Sequence, residues 1–415
     1  MMIRCSKHVL SHANILKKQQ ISKLVSNYRV LVQEIIDYIW VNGYKKFNIS
    51  KNNLDCPSLI DSSFLKNFNS EYTERLKQAA GKQALMMISA ATEKRRKQLW
   101  QLKKLQKEGG ITKYLQRAIS AQSLVKPKAS KINLELDSRF VDFKFENQNR
   151  FLGFVRLSSI KKGLVIKIPI VSSPVFHKWN SLGILKKSIR LSDSSFNLIF
   201  DITESNKKQS GEIVGCDQGI TDMLTFSDGQ TIPKYQDRYS LSDVQKILSR
   251  KKKGSKAFKK GQEFRKNIIN WSINQLSFNN IKELRLEKLY QVGKGRSRSR
   301  FLSHWTYTLI NDKLKRLSEE KGFLLKEVPN EFRSQRCSSC GWVRKANRKG
   351  KLFCCNKCGN KLDSDLNASY NLLLDLYEVP YWVRLKKINR QGFYWMPDGL
   401  FSDCHESIVH DAKKE

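Results

Sequence analysis

Two groups of residues in this sequence are suited to binding metal ions. The first is a pair of Cys-x-x-Cys motifs, Cys337/Cys340 and Cys355/Cys358, with fourteen residues between them. Four thiolates at this spacing can close a tetrahedral coordination sphere and leave no position for a substrate, which is typical of structural zinc sites. We therefore predict a structural zinc ribbon over residues 333–362. One alternative is that the four thiols are unrelated. A catalytic zinc is less favoured, because no histidine or carboxylate completes an open site.

The second group consists of three acidic residues at the ends of predicted elements or within them. Asp217 ends the predicted strand 212–217, Glu287 lies in the predicted strand 281–289, and Asp365 begins a helix directly after the zinc ribbon. Clustered carboxylates hold hard ions such as Mg²⁺ well. Two such ions can activate water and stabilise the leaving oxygen in phosphodiester hydrolysis. Taken alone, any one of these acids among the 38 in the chain fits an ordinary surface charge better than a metal ligand.

The spacing of apolar residues changes along the part of the chain that precedes these residues. The first 125 residues read as helical, with one amphipathic helix early in the chain and a second from about Tyr72 to Lys107. The apolar face of the first helix consists of Ile21, Leu24, Val25, Tyr28, Leu31, Val32, Ile35 and Ile39. Residues 126–210 instead contain short alternating or apolar runs between turn residues, which predicts a small β-barrel or sandwich.

The remainder of the chain alternates strands and helices from Gly211 onward. The strand that ends at Asp217 is followed by predicted strands around Met223–Phe226 and at Thr231–Ile232, joined by a turn at Asp228-Gly229. Further strands at 281–289 and 323–328 and helices near 241–276 and 303–321 complete an α/β region. A strand, a central strand and a returning helix can bring Asp217, Glu287 and Asp365 together.

Charge is the most unusual property of the composition. The chain has 415 residues, with 77 Lys+Arg against 38 Asp+Glu and a formal net charge of +39. Self-repulsion of this size is relieved by a polyanion, so nucleic acid is the first partner to expect. The absence of a long apolar run and of a secretory leader argues against a secreted or membrane-spanning protein. Nine cysteines, an odd number, fit a reducing cytoplasm with one metal site.

Several motifs together resemble the TnpB family and the compact type V CRISPR effectors derived from it. The resemblance rests on Gly215-Cys-Asp-Gln-Gly219, on the strand containing Glu287 and on the cysteine pairs in Arg333–Cys340-Gly341 and Cys355–Cys358-Gly359. It also rests on Asp365-Leu-Asn-Ala-Ser-Tyr-Asn371, and it covers about 205–378. Cys216, Arg333 and Ala368-Ser369 depart from the usual family residues, but none of these departures removes an acid.

The resemblance implies a multidomain α+β protein with a split RuvC-like nuclease of RNase H fold. Asp217, Glu287 and Asp365 then resemble the catalytic acids that hold Mg²⁺ or Mn²⁺, and the four cysteines resemble the ligands of a structural Zn²⁺. The implied domains are a helical recognition domain (13–125), a β-barrel wedge domain (126–210), the nuclease (211–332 and 363–378) and the inserted zinc ribbon (333–362). Residues 1–12 are candidates for the barrel, and residues 379–415 form a tail.

The family also implies partners and an activity. Its members use a guide RNA to select double-stranded DNA beside a short motif that the protein reads, and then cut both strands. Candidate backbone contacts are Arg250–Lys253, Lys259-Lys260 and Lys294–Arg300, and Gly293–Arg300 is either a mobile lid or a plain linker. One or two chains per RNA are both compatible with the sequence. The rival functions are a nuclease-dead, RNA-guided repressor and, less favoured, a DNA-strand-transfer transposase.

Overall fold

The computed structural model describes residues 2–42, 62–68, 70–107, 117, 125–145, 150–219, 222–288, 306–380, 382–383 and 386–408. The chain divides into two compact units, Met1–Thr203 and Glu204–Glu415. Gly293–Arg300, the predicted lid or linker, lies outside the described residues. No helix in the described ranges combines the length and the apolarity that a bilayer crossing requires.

The first unit contains the predicted helices. They are α1 (Ile15–Val41), the short α2 (Ser62–Leu65) and α3 (Glu74–Lys107). The Asn14 side chain caps α1 by accepting a hydrogen bond from the Lys17 amide at 2.9 Å. Every residue of the predicted apolar face of α1 is buried, so that prediction is confirmed. The Tyr28 hydroxyl donates to Gln83 Oε1 of α3 at 2.8 Å, which fixes the register between the two helices.

Two antiparallel sheets complete this unit. The larger has the order β1-β7-β6-β2, and the smaller has the order β3-β4-β5. The strands are β1 (Met2–Val9), β2 (Leu134–Leu136), β3 (Val141–Phe145), β4 (Gly153–Leu157), β5 (Ile166–Ile170), β6 (Gly183–Leu191) and β7 (Ser195–Ile202). Helix α4 (Pro174–Leu182) precedes β6 and was not predicted. The N-terminal strand β1 pairs with β7 over its whole length, from Met2 opposite Ile202 to Val9 opposite Ser195.

The predicted β-barrel is not closed in the described part of this unit. Closure requires the first and last strands of a sheet to hydrogen-bond to each other. Here β1 and β2 are the two edges of the larger sheet, and β3 and β5 are the edges of the smaller one. The apolar faces of both sheets and of the helices instead meet in one continuous core.

The second unit is built on a mixed sheet with the order β11-β10-β8-β9. Its strands are β8 (Glu212–Asp217), β9 (Thr225–Phe226), β10 (Ile281–Lys288) and β11 (Leu324–Pro329). Strands β8, β10 and β11 are parallel, and β9 runs antiparallel beside β8. The strand predicted at Thr231–Ile232 is wrong, because these residues have no strand pairing. The surrounding helices are α5 (Leu241–Ser249), α6 (Lys256–Asn274), α7 (Tyr307–Lys321) and α8 (Ser364–Leu372).

Two small sheets lie between β11 and the C-terminal residues. One consists of β13 (Arg348–Lys349), β14 (Leu352–Cys354) and β15 (Lys361–Asp363). The other consists of β12 (Trp342–Val343), β16 (Phe393–Trp395) and β17 (Leu400–Phe401). Residues predicted only as a tail therefore pair with the cysteine-rich segment, with Trp342 opposite Tyr394.

Candidate functional site

Asp217 and Glu287 lie side by side at the carboxyl ends of two neighbouring parallel strands, and this end of the sheet is its carboxyl edge. Strands β8 and β10 pair in parallel, with Cys216 opposite Leu286, so the next residue along each strand is one of these two acids. Asp217 is buried and Glu287 is half-buried. The carboxyl ends of parallel strands meet at the same edge of a sheet, which is where open α/β sheets usually place their ligand sites.

Asp365 reaches the same edge from helix α8. The Asp363 side chain caps this helix and accepts hydrogen bonds from the amides of Asp365, at 2.8 Å, and of Leu366, at 3.1 Å. The helix lies directly on β8, because a Cβ atom on Gly215 would be 2.0 Å from the Ser369 carbonyl oxygen. A Cβ atom on Gly219 would come within 3.3 Å of Asp365 Oδ2. The two glycines that flank Asp217 therefore permit the third acid to approach.

The surroundings of Asp217 and Glu287 raise the pKa of both carboxyl groups. Burial, followed by the charge of Asp365, raises the pKa of Asp217 to about 7, against the opposing effect of Arg348 and Lys351. Burial, followed by the charge of Asp217, raises the pKa of Glu287 to about 8. Removing water penalises the charged form of a carboxyl group, and neighbouring carboxylates add repulsion. This edge of the sheet thus concentrates negative charge that a cation would stabilise.

Two basic side chains from the cysteine-rich segment already contact Asp365. Arg348 Nη2 lies 3.1 Å from Asp365 Oδ1, and Lys351 Nζ contacts Asp365 Oδ2. The same ammonium group also contacts Asp222, an acid that the sequence analysis did not single out. Burial lowers the pKa of Lys351, but its hydrogen bonds to Asp222 and Asp365 outweigh this effect and raise it. No pattern in the sequence indicates that either basic residue pairs with a carboxylate.

The four cysteines form a tighter group than the three acids. Their Sγ atoms all lie within 4.8 Å of one another, and two pairs, Cys337 with Cys358 and Cys340 with Cys355, are 3.6 Å apart. Within the described ranges, the four cysteines are the one group of potential metal ligands whose ligand atoms all lie within 4.8 Å of one another. The oxygens of the three carboxylates are therefore farther apart than these sulfur atoms. Thiolates in this arrangement fit a closed, structural zinc site, whereas carboxylate oxygens fit harder ions.

Each cysteine pair is shaped by a turn that ends in glycine. The Gly341 amide donates to the Cys337 carbonyl at 3.0 Å, and the Gly359 amide donates to the Cys355 carbonyl at 3.0 Å. Both glycines have positive φ, +80° and +75°, a conformation that other residues rarely adopt. The Cys-x-x-Cys-Gly sequence therefore specifies the turn as well as the ligands.

Buried amides connect the cysteine site to the helix that carries Asp365. Asn367 Oδ1 accepts from the Ser338 amide at 3.0 Å, and Asn371 Oδ1 accepts from Arg336 Nη1 at 2.7 Å. Arg333, a departure from the family residue, donates to the Pro329 carbonyl at 2.8 Å and to carbonyls at the end of α8. The sequence signal for these residues was their presence in the Asp365–Asn371 motif, but nothing local indicated that the asparagines are structural.

The C-terminal residues cover the other side of the cysteine site. The Trp395 carbonyl accepts from Arg336 Nε at 2.8 Å, and its indole N–H donates to the Tyr377 carbonyl at 2.9 Å. Gly392 packs against the Trp342 ring so closely that a Cβ atom would be 2.2 Å away. Residues 393–401 are therefore part of the cysteine-rich fold.

The predicted backbone contacts are only partly described. Residues 250–253 follow α5, and Lys259 and Lys260 are exposed on α6. Lys294–Arg300 falls outside the described residues.

Comparison with known proteins identifies relatives of parts of this chain. Residues 307–372 match the family described as Cas12f1-like, TNB domain. Over 77 residues the chain is 38% identical to the CRISPR-associated endodeoxyribonuclease Cas12f1 of Sulfoacidibacillus thermotolerans. The aligned residues make up 18% of each protein. Over 97 residues it is 33% identical to a TnpB-like protein of Aquifex aeolicus (strain VF5), which covers 23% of this chain and 30% of that protein.

A solved structure extends the comparison to most of the chain. A cryo-EM structure of CasPhi-2 (Cas12j) bound to crRNA and phosphorothioate-DNA superposes with a TM-score of 0.50 at 11% identity. The match covers 90% of this chain and 91% of that one. At this identity the match establishes a shared multidomain α+β fold. The matched segments span less than a third of the two curated relatives, 18% and 30% of their lengths. Together the matches confirm the resemblance to TnpB proteins and compact type V effectors.

Proposed function

We propose that this chain, a relative of the TnpB proteins and compact type V effectors, is an RNA-guided endonuclease that cuts double-stranded DNA. The observation that carries the proposal is the convergence of Asp217, Glu287 and Asp365 from two parallel strands and a returning helix at one edge of the sheet. Neighbouring acids whose pKa values are raised, as those of Asp217 and Glu287 are, are typical of functional centres.

The three acids are suited to holding Mg²⁺ or Mn²⁺, since their oxygens are hard ligands and their mutual repulsion calls for a cation. Divalent ions bound there would activate water and stabilise the leaving oxygen of a phosphodiester. The remaining work falls to the chain itself. Helix α8 and its cap hold Asp365 in position, and Arg348 neutralises part of the negative charge that would otherwise repel a phosphate.

The zinc ribbon has a structural role in this proposal. Zn²⁺ on Cys337, Cys340, Cys355 and Cys358 would hold together the segment that carries Arg348 and that contacts α8 through Asn367 and Asn371. Structural zinc contributes directly to folding free energy. The third acid and its basic neighbours thus depend on a metal site that takes no part in the chemistry.

The partners follow from charge. A formal net charge of +39 matches a guide RNA and a heteroduplex, whose phosphates the protein would bind through backbone contacts while base pairing selects the target. In this proposal residues 13–125 recognise the RNA–DNA duplex, residues 126–210 have the wedge role, and one or two chains load one RNA in the cytoplasm. A short DNA motif beside the target is read by the protein.

A nuclease-dead, RNA-guided binding protein is the second candidate. The observation that favours it is the pairing of both Asp365 oxygens with Arg348 and Lys351, which leaves the third acid engaged by the chain's own cations. A protein that only binds DNA would have no need of Asp217 and Glu287 beside Asp365, which argues for the nuclease.

The deciding experiment measures cleavage and binding on one guide–target pair. Asp217→Ala, Glu287→Ala and Asp365→Ala should each reduce cleavage by on the order of 10²–10³-fold or more, as expected for loss of a preorganised electrostatic group. Target affinity should stay within a few-fold, because the basic surfaces supply most of it. Glu212→Gln, an exposed acid at the start of β8, is the matched control and should cut normally. A wild type that binds its guided target and never cuts would establish the binding protein instead.

A further inference from the structure

The contacts of Lys351 raise a question about how the carboxylate site accepts a cation. The side chain of Asp365 is 5% exposed, and each of its two oxygens is engaged by a different basic group, Oδ1 by Arg348 and Oδ2 by Lys351. An ion that binds to Asp365 must therefore share these oxygens or displace one of the basic groups. This inference rests on the proposed function of the three acids, and it concerns which basic group leaves Asp365 when a cation binds.

Arg348 is the more firmly held of the two. Its Nη2 contacts Asp365 at 3.1 Å while its Nε donates to the Gly350 carbonyl at 3.3 Å. The guanidinium group is planar and offers several donors in a fixed geometry, so it can keep one contact while it adjusts another. Arg348 is thus well placed to remain beside Asp365 with a cation present.

Lys351 has a different environment. Its single ammonium group bridges Asp365, which is buried, and Asp222, whose side chain is 60% exposed. The lysine side chain is itself 42% exposed, and its four-carbon stem is flexible. The ammonium group can therefore leave Asp365 and keep a carboxylate partner by moving outward along Asp222. Asp222 offers a second position at the rim of the site.

The backbone of Lys351 is anchored independently of this side chain. Its carbonyl oxygen accepts a hydrogen bond from the Ser364 amide at 2.8 Å, and the Ser364 hydroxyl donates to the Gly350 carbonyl at 2.9 Å. Strands β14 and β15 pair across the same point, with Leu352 opposite Asp363. A substitution of the side chain should consequently leave the turn and Asp365 in place.

We propose that Lys351 is an internal counter-ion that occupies Asp365 in the metal-free protein and moves to Asp222 when a divalent cation binds. Lys351 is a positioning residue in this scheme, because it acts through Asp365. It sets the concentration of divalent cation that is needed to fill the site. A unit charge a few ångströms from a partly buried ion has a strong effect on its affinity. Neutralising Lys351 should therefore lower the dissociation constant for a divalent cation by about tenfold or more.

The test measures Mn²⁺ binding to the full-length, zinc-loaded chain after nucleic acid has been removed. Isothermal titration or Mn²⁺ electron paramagnetic resonance should give about tenfold tighter binding for Lys351→Met, and the Mn²⁺-induced rise in melting temperature should begin at lower concentration. Lys349→Met is the matched control, because it removes the same charge from an exposed position two residues away. It should change the dissociation constant by less than about twofold. Lys351→Arg, which keeps the charge, should stay close to the wild type.

The outcomes separate this inference from the proposed nuclease. Equal Mn²⁺ affinity in Lys351→Met and Lys349→Met would overturn the counter-ion role, even if the wild type cuts guided DNA. Unchanged affinity with slower cleavage at saturating Mn²⁺ would also overturn it, since Lys351 would then act on the substrate. Tighter Mn²⁺ binding in Lys351→Met, with no guided cleavage by any variant, would support the counter-ion role and reject the nuclease. If Lys351→Met does not fold, Lys351→Gln provides the same measurement.

Discussion

The second unit contains two candidate metal sites that are built in opposite ways. The thiol site comes from two short turns within residues 337–358, and its four sulfur atoms lie within 4.8 Å of one another. The carboxylate site takes one residue each from β8, β10 and α8, and basic side chains lie among its acids. A closed site can be made by local sequence, because it has only to hold its ion. A site that must admit a substrate is assembled by tertiary structure.

The two sites also differ in what their loss should do. The thiol site supports the position of Asp365 through Asn367 and Asn371, whereas each thiol ligand is placed by its own local turn. Disruption of the thiols should therefore abolish both folding and chemistry in this unit. Disruption of the carboxylates should abolish chemistry alone.

The largest expected effect comes from the zinc ligands. Cys337→Ser or Cys355→Ser should lose zinc and unfold much of the second unit, since binding of structural zinc contributes on the order of 10 kcal/mol in small zinc peptides. Metal analysis and thermal unfolding measure the two effects. Cys404→Ser, at an exposed cysteine outside the cluster, is the control and should change neither. Stoichiometric zinc in a double mutant of Cys337 and Cys355 would exclude these residues as ligands.

The next effect concerns the identity of the metal at the carboxylates. Mg²⁺ or Mn²⁺ should support guided cleavage and Ca²⁺ should not, because Ca²⁺ prefers longer and looser coordination. Mild chelation that leaves zinc bound should stop cleavage reversibly without changing the melting temperature by more than a few degrees. Full cleavage in Ca²⁺ alone would contradict the proposed role of the acids.

A smaller effect is expected from the protonation of the acids. In the folded protein the pKa values of Asp217 and Glu287 are about 7 and about 8, above their ordinary values of 3.8 and 4.5. Between about pH 4 and pH 8 the folded state binds more protons than the unfolded state, so these groups lower the stability of the metal-free protein as pH rises through that window.

Asp217→Asn should therefore stabilise the metal-free, zinc-loaded protein by about 1–3 kcal/mol at pH 8 and by much less at pH 4. Denaturant unfolding at the two pH values measures the difference. Asp228→Asn, in an exposed turn close to β9, is the control and should show no such pH-dependent gain. A gain that is the same at both pH values would mean that burial and repulsion do not destabilise the charged form of Asp217.

A last effect, on stability alone, tests the C-terminal strands that pack on the thiol site. Trp395→Phe removes the indole N–H that donates to the Tyr377 carbonyl and should cost about 1 kcal/mol of stability, with zinc retained. Trp395→Ala also removes a buried ring and should cost about 3–5 kcal/mol. Thermal unfolding of both variants gives the comparison. Equal melting temperatures for the wild type and both variants would show that β16 does not support the zinc ribbon.

The difference between the two sites also explains what the sequence could predict. The thiol ligands were predictable from their own spacing, because the turns that form the site are local. The three acids are among 38 in the chain, and only the order of the family motifs distinguished them. Asp222 and Lys351 had no such motif, since their pairing depends on the packing of α8 against β8. Asn367 and Asn371 were visible within a motif, but their buried hydrogen bonds to the ribbon were not.

The fold of the first unit was predictable to a similar extent. The periodicity of α1 and α3 and most of the strands could be identified from local patterns. Among the described residues the predicted barrel is not closed, because closure depends on which edge strands pair with each other, and no local pattern encodes that. The first 125 residues read as helical, with residues 1–12 only candidates for the barrel, but Met2–Val9 form strand β1. Its eight residues pair with β7, almost a whole unit away in sequence, and no local pattern encodes such a pairing.

The pairing of β1 with β7 has a consequence for synthesis on the ribosome. Because β1 is translated long before β7, it must wait as an unpaired strand while α1, α3 and the smaller sheet emerge. An exposed strand edge of this kind is prone to association with other chains, and non-local pairing slows its capture. The unpaired strand contains both apolar and charged residues, including Ile3 and the positive charges of Arg4 and Lys7. We expect nascent-chain chaperones to contact this segment until residue 202 has left the exit tunnel.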